Sequence, residues 1–329
     1  MNFIEVFDNA LRPEECKSII DFMNQDGMLN PGYVMTKNGK EVNSEDIIKA
    51  VPQEHKTFAN SILESHDIEV EETDEVRKGT IQFGRNLSEE GAESTLEVAM
   101  NHPIKLIANA LGVPPKIMLD LGKKHNIAVA ALVGAKEHAI KQVEAGVDIL
   151  VVAGGEAGGH CGDVSTMVLV PEVYNAIKKI KDVPILAAGG ITTGSQMAAA
   201  MTMGADGAWC GSVWLTTSEA ETNPVVKEKM LAASSRDTVR SRSRTGKFSR
   251  QLRSPWTDAW ENEGPEPLPM PLQSLVSEPA LRKIDKLSQG GHEGAKQLAT
   301  YWVGQGVGLM TVSYTHLRAH ETLRYLVCR

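Results

Sequence analysis

The residues best suited to chemistry lie at Gly154–Gly162, GGEAGGHCG, directly after the apolar run DILVVA. Here one titratable imidazole, His160, sits among glycines. Glycine lets a flat ligand approach the backbone closely. Imidazole titrates near neutral pH and is the natural general base there. A histidine taken blindly is more often structural, but a glycine-rich loop at a strand end raises the weight of a catalytic role. A second feature is a pair of glycine turns, Ala187-Ala188-Gly189-Gly190 and Cys210-Gly211-Ser212. Bare backbone N–H groups beside a helix start can hold a phosphate dianion, and late loops of βα barrels are used in this way. The two turns, one βα unit apart, point to a phosphate-bearing cofactor. The chain has no G-x-G-x-x-G fingerprint and no P-loop.

These loops need strands and helices to position them. Apolar segments begin near Pro103, Asn126, Asp148, Pro184 and Ala205. Between them lie helix-like stretches at Pro114–His125, Ala135–Ala145, Pro171–Lys181 and Ser195–Met203. Short continuous apolar runs predict strands buried on both faces, as in a parallel sheet. Three of the four spacings are about 22 residues, which suits repeated βα units. The segments end in Gly112, Gly134, Gly154, Gly189 and Gly211, and ligands of such folds sit at the carboxyl ends of the strands. The expected fold class is α/β, a TIM-barrel-type βα repeat, incomplete at about five of eight units.

The flanks read differently. In the first part, Leu11–Asn24 suits an amphipathic helix, Tyr33–Val42 a hairpin around Asn38-Gly39, and Ile68–Lys78 is strongly charged. Ser88 opens a helix reaching Met100, and a boundary is placed at Gly79–Leu87. After Gly211 a helix is expected at Pro224–Ala233. A basic stretch, Ser234–Arg253, follows with Arg236, Arg240, Arg242, Arg244, Lys247, Arg250 and Arg253 against Asp237. It is read as a solvated or salt-bridged loop. Trp256, Trp260 and the Pro-rich Gly264–Leu272 come next, then helices at Glu278–Leu287 and Gly294–Tyr301. The expected organisation is an unrelated α+β N-terminal segment (1–86), a partial barrel (87–215), a helical C-terminal substrate domain (216–310) and a tail (311–329).

Composition narrows the class. The chain has 329 residues, with Lys plus Arg 34 against Asp plus Glu 42, a net charge of -8. Such a chain is a poor general binder of nucleic acid or anionic membrane. The cysteines Cys16, Cys161, Cys210 and Cys328 form no C-x-x-C pair, so neither a disulfide nor a zinc framework is expected, as suits a reducing cytoplasm. No apolar run approaches the ~18 residues of a membrane span, and MNFIEVFDNALRPEE lacks a signal-peptide pattern. A cytoplasmic protein without a metal is expected. His316, His320 and Glu321 stand in an order unlike zinc-protease motifs.

GGEAGGHCG, LAAGGITTGSQMAAAMTMGADGAWCGSVWLTTSEAE and DTVRSRSRTGKFSRQLRSPWTDAW together resemble the nitronate monooxygenase family, over about Leu87 to Met310. The resemblance implies an FMN-binding barrel with a smaller helical substrate domain. It implies oxidation of alkyl nitronates or nitroalkanes with oxygen to a carbonyl compound and nitrite. His160 matches the family's catalytic histidine. Gly158 and Gly159 match glycines that approach the flavin, and Gly189, Gly190, Gly211 and Ser212 match the FMN phosphate loops. The basic stretch and Trp256–Trp260 match the segment leading into the substrate domain, which weakens a nucleic-acid reading. Ala153 stands where many members carry a glutamine that contacts the flavin. Cys161 is read as a small packing residue.

The ends depart from the family. Nothing in residues 1–86 resembles its opening strands. MNFIEVFDNALRPEECKSIIDFMNQ instead resembles the start of iron- and 2-oxoglutarate-dependent oxygenases, but no H-x-D or H-x-E exists to supply their facial triad. TVSYTHLRAHET, Thr311–Thr322, resembles a translated sequencing adapter. A joined or truncated product without activity is therefore a second reading. An open sheet would leave its edges unpaired, so self-association and weak FMN binding are expected. The alternative enzyme is an FMN-dependent enoyl-acyl-carrier-protein reductase, whose family shares an EAGGH-type loop.

Overall fold

The computed structural model describes residues 33–35, 41–43, 51–70, 89–110, 112–270 and 272–310. Two strands, β1 (Tyr33–Met35) and β2 (Glu41–Asn43), pair antiparallel, which is the expected hairpin. Its Asn38-Gly39 turn, the helix expected at Leu11–Asn24, the Gly79–Leu87 boundary and the 311–329 tail lie outside the described residues. Helix α1 (Gln53–Glu64) was not anticipated from the sequence. Helix α2 (Glu89–Met100) follows, as Ser88 suggested.

The βα repeat then unfolds in order: β3 (Leu106–Asn109), α3 (Lys116–His125), β4 (Ala128–Val133), α4 (Lys136–Ala145) and β5 (Ile149–Ala153). After a two-residue strand β6 (Gly159–His160) come α5 (Thr166–Ile177), β7 (Ile185–Ala188), α6 (Gly194–Thr202) and β8 (Gly207–Trp209). The five apolar runs form one parallel sheet in the order β3-β4-β5-β7-β8. Local chemistry repeats along it. Helices α3 and α4 end in left-handed residues, Asn126 and Gly146, and Gly204 after α6 also has positive φ. After Gly146 and Gly204 an aspartate precedes the next strand and accepts an N–H from the strand beside it: Asp148 from Val129 (2.9 Å) and Asp206 from Ile185 (2.8 Å). One face of the sheet packs Leu150 and Ile185 against Leu169, Val173 and Ile177 of α5. The other face carries small residues, Ala130, Val151, Ala153 and Ala188, and so leaves room above them.

Helix α5 starts five residues earlier than the expected Pro171, which lies inside it. A proline usually marks a first turn. Here the helix start is satisfied from outside, because the Glu156 carboxylate accepts both the N–H and the hydroxyl of Thr166 at 2.9 Å.

The C-terminal region holds α7 (Pro224–Ala232), β9 (Thr238–Ser241), β10 (Ser249–Leu252), α8 (Pro255–Asn262), α9 (Leu272–Gln289) and α10 (Glu293–Leu298). It is not purely helical. The basic stretch is an antiparallel hairpin rather than a loop, and β10 also pairs with β6, giving the sheet β6-β10-β9. Ion pairs Arg242–Glu266, Arg244–Glu278 and Arg253–Asp258 explain its charge. Helix α9 begins at Leu272, ahead of the expected Glu278. Helix α10 stops at Leu298, short of Tyr301. Trp256, Met230, Ile284 and Leu298 form the centre of this region's core. Ala59, Ile62 and Leu63 of α1 belong to the same core, and Phe58 meets Trp260 edge-on at 5.0 Å. The Gly294 backbone touches that of His66 so closely that no side chain fits there.

Candidate active site

The small-residue face of the sheet opens at its carboxyl end into a cavity of about 400 Å³. Every sequence-predicted site residue lines it: Gly158, Gly159, His160, Gly189, Gly190, Gly211 and Ser212. Ala108, Leu132, Ala153, Ala188 and Trp209 complete the sheet side. Ala153 thus stands at the cavity floor, where it presents only a methyl group.

The glycines do different work. A Cβ placed on Gly159 or Gly211 would meet no atom within 4 Å, so it would project into open space rather than into packed protein. Gly190 has φ +71°, a conformation that L side chains seldom adopt. Among the described residues, the N–H groups of Gly190, Gly211 and Ser212 donate to no protein acceptor. Free donors on a backbone without side chains suit a phosphate, so this wall fits the phosphate end of a flavin nucleotide. Gly158 differs. A Cβ there would lie 2.7 Å from the backbone of Val303 and Gly304. Its smallness serves chain packing at the cavity rim. The Ser212 hydroxyl accepts the Gly304 N–H at 2.8 Å, and Gln305 donates its N–H to the Glu156 carbonyl at 2.8 Å. The segment 301–306 is thereby fastened across both glycine loops.

His160 is presented by β6, whose pairing with β10 sets it opposite Ser249. Its Nε2 lies 2.8 Å from Thr245 Oγ1, in the β9–β10 connection. Trp302 flanks the ring at 6.2 Å between centroids. Burial lowers the His160 pKa to about 4, with Lys247 and then Arg244 contributing through their charge. The imidazole is therefore neutral at pH 7 and has a lone pair to offer. Arg244 is buried, paired to Glu278 at 3.1 Å, and lies over the Trp302 ring at 4.3 Å. Beside His160, burial raises the pKa of the Cys161 thiol above its ordinary value, which agrees with a packing role. Among the described residues no group of three or more His, Cys, Asp or Glu could hold a metal. No described helix is long and apolar enough to cross a membrane.

The sequence did not mark Thr245, Lys247 and Arg244 as neighbours of His160, nor the cavity-lining pair Tyr301 and Trp302. A signal existed for the last two. Tyr301-Trp302 precedes Gly304, Gly306 and Gly308, an alternation that fits a chain laid against other backbone.

The sequence matches the nitronate monooxygenase family over residues 42–327. It is 49% identical over 285 residues to a protein of Mycobacterium tuberculosis named as a monooxygenase, covering 86% of this chain and 74% of that one. A nitroalkane oxidase from Streptomyces ansochromogenes shares the fold, with TM-score 0.66 and 22% identity, over 85% of this chain and 75% of that one. FabK from Thermotoga maritima aligns with TM-score 0.57 and 28% identity, over 73% and 72% of the two chains. The family match begins well before Leu87 and ends after Met310. On the N-terminal side it takes in α1, in keeping with the packing of that helix into the C-terminal core. A match of this length, with a barrel-type α/β fold behind it, makes the chain a member of the nitronate monooxygenase family and so a flavin-dependent oxidoreductase.

Proposed function

We propose that the protein binds FMN and oxidises small alkyl nitronates with oxygen, giving a carbonyl compound and nitrite. Neutral nitroalkanes enter the same route once His160 has removed the α-proton. The observation that carries this reading is a neutral, partly buried imidazole in a cavity lined in part by bare glycine backbone. FMN, when bound, supplies the oxidation, and the protein supplies position and electrostatics. Gly190, Gly211 and Ser212 would hold the phosphate with their N–H groups. Gly159 leaves space for the ring system. Lys247 and Arg244 bias the site toward an anion, and a nitronate is an anion. Residues 87–215 thus serve the cofactor, and 216–310 cover the substrate.

The visible spectrum of the purified protein tests flavin retention. Oxygen uptake by His160→Ala then tests the base. The loss is expected to be more severe with neutral nitroalkanes than with preformed nitronates, because only the former need deprotonation. Equal losses would leave His160 with positioning alone. The alternative, enoyl reduction, predicts NADPH consumption with an enoyl thioester, whereas the favoured reading predicts oxygen uptake without NADPH.

A further inference from the structure

We infer that Thr245 fixes the tautomer of His160, placing the proton on Nε2 and leaving Nδ1 as the nitrogen that accepts the substrate's proton. The inference rests on the base role proposed above for its functional part, and on hydrogen-bond arithmetic for its structural part.

A threonine hydroxyl has one proton to donate and two lone pairs that accept. Around Thr245 Oγ1 stand three partners. The Lys247 carbonyl, at 3.3 Å, can only accept. The Lys247 N–H, at 3.3 Å, can only donate. His160 Nε2, at 2.8 Å, can do either. All three are satisfied together in one way: the hydroxyl proton goes to the carbonyl, and the oxygen accepts both the Lys247 N–H and an Nε2–H. A neutral imidazole carries a single N–H, and His160 is neutral at pH 7. Its other nitrogen, Nδ1, then holds the lone pair. Nδ1 has no protein partner among the described residues, yet it is absent from the set of fully buried, unpartnered polar atoms. It therefore keeps some exposure, on a residue that lines the cavity.

The connection carrying Thr245 is held firmly enough to impose this. Thr245 itself is buried. Helix α9 grips the residues before it: Gln273 Nε2 donates to the Ser243 carbonyl at 2.9 Å, Ser277 donates to the Arg244 carbonyl, and Glu278 pairs with Arg244. Gly246 donates back to the Arg242 carbonyl at 2.9 Å and closes the turn. The charged groups that act on His160 are Lys247, in the same connection, and Arg244; Cys161 follows His160 in the glycine loop, with Arg250 and Arg240 beside that thiol. Among the described residues none of them hydrogen-bonds the ring.

The test uses the purified full chain with 15N-labelled histidine. The His160 signal is assigned by its loss in His160→Gln. In the wild type at pH 7, nitrogen shifts are expected to show a protonated Nε2 and an unprotonated Nδ1. Thr245→Val should shift the population toward the other tautomer, and Thr245→Ser should restore the wild-type pattern. With neutral nitroalkane, Thr245→Val should lose about tenfold in kcat/KM, the scale of one buried hydrogen bond, while Thr245→Ser stays within about twofold. Turnover of preformed nitronate should change little. A wild-type spectrum with the proton on Nδ1, or a Thr245→Val spectrum identical to the wild type, would overturn the inference. If His160→Ala spares nitroalkane turnover while the tautomer results hold, the base role fails and the Thr245 assignment survives.

Discussion

Two walls face each other across the cavity, and they are built on opposite plans. The sheet wall, from β5 to β8, offers backbone: Gly159, Gly189, Gly190 and Gly211, with Ala153 and Ala188 among the side chains between. The facing side, residues 301–306, offers Tyr301 and Trp302, and the β9–β10 hairpin beside His160 supplies Thr245, bonded to the imidazole, and Arg244, lying over Trp302. A ligand that must lie flat and be held by a phosphate needs backbone donors with nothing in front of them. A substrate that must lose a proton needs an oriented base in a dry, charged setting. On the proposed roles, cofactor binding and base positioning are separable, and variants should affect one wall at a time.

The sharpest break is expected on the glycine wall. Gly211 has φ −113°, so a side chain costs no backbone strain there, and its Cβ would enter open space. Gly211→Val should therefore abolish flavin retention with the secondary structure unchanged, as read by the flavin-to-protein absorbance ratio and circular dichroism. Gly190→Val should do the same with added destabilisation, because its φ of +71° disfavours a side chain. Full flavin stoichiometry in both would remove the phosphate site from this wall.

The next effect belongs to the facing wall. Glu278→Ala would strand the buried Arg244 guanidinium, whose Nη1 already lacks a partner. Breaking such a pair typically costs about 3–5 kcal/mol, seen as a lowered denaturation midpoint. Replacing both members by methionine should recover much of that loss, since neither charge is then buried alone. A double variant no more stable than Glu278→Ala would show that the pair itself holds the hairpin.

The smallest effect is in pH dependence. His160 in the folded protein has its pKa lowered to about 4 from 6.5, by burial first and by Lys247 and Arg244 next. The unfolded chain then binds more protons between those values, so stability rises with pH across that window. The contribution is present in full above pH 6.5 and is lost as pH falls toward 4. It amounts to at most about 3 kcal/mol. His160→Gln should flatten this slope in urea titrations at a series of pH values. An unchanged slope would mean that His160 is not the group responsible.

The βα repeat was readable because each unit carries its own instructions. Runs such as AVAALV and ILVVA suit strands buried on both faces, as in a parallel sheet. Asn126, Gly146 and Gly204 supply the left-handed turns that end helices, and Asp148 and Asp206 follow at the same offset. The glycine loops were readable for the same local reason. The start of α5 was not, since its N-terminal donors are satisfied by Glu156, ten residues upstream and in another loop. Helix α1 was missed because its apolar residues make sense only beside Trp260 and α9, about two hundred residues away.

The sequence by itself thus determined the parallel sheet, the position of His160 at a strand end, the glycine wall and the family. These are properties of short segments, set by periodicity, turn chemistry and local motif. Only the tertiary structure decided what His160 faces. The basic stretch reads as a charged loop until β10 pairs with β6, and that pairing is a non-local hydrogen-bonded register that no local pattern encodes. It brings Thr245 to the imidazole across 85 residues of chain, in a setting where Thr245, Arg244 and Trp302 are buried and the imidazole is half-buried. The lowered pKa follows from that burial, because desolvation acts through surroundings that exist only once the distant segments have packed.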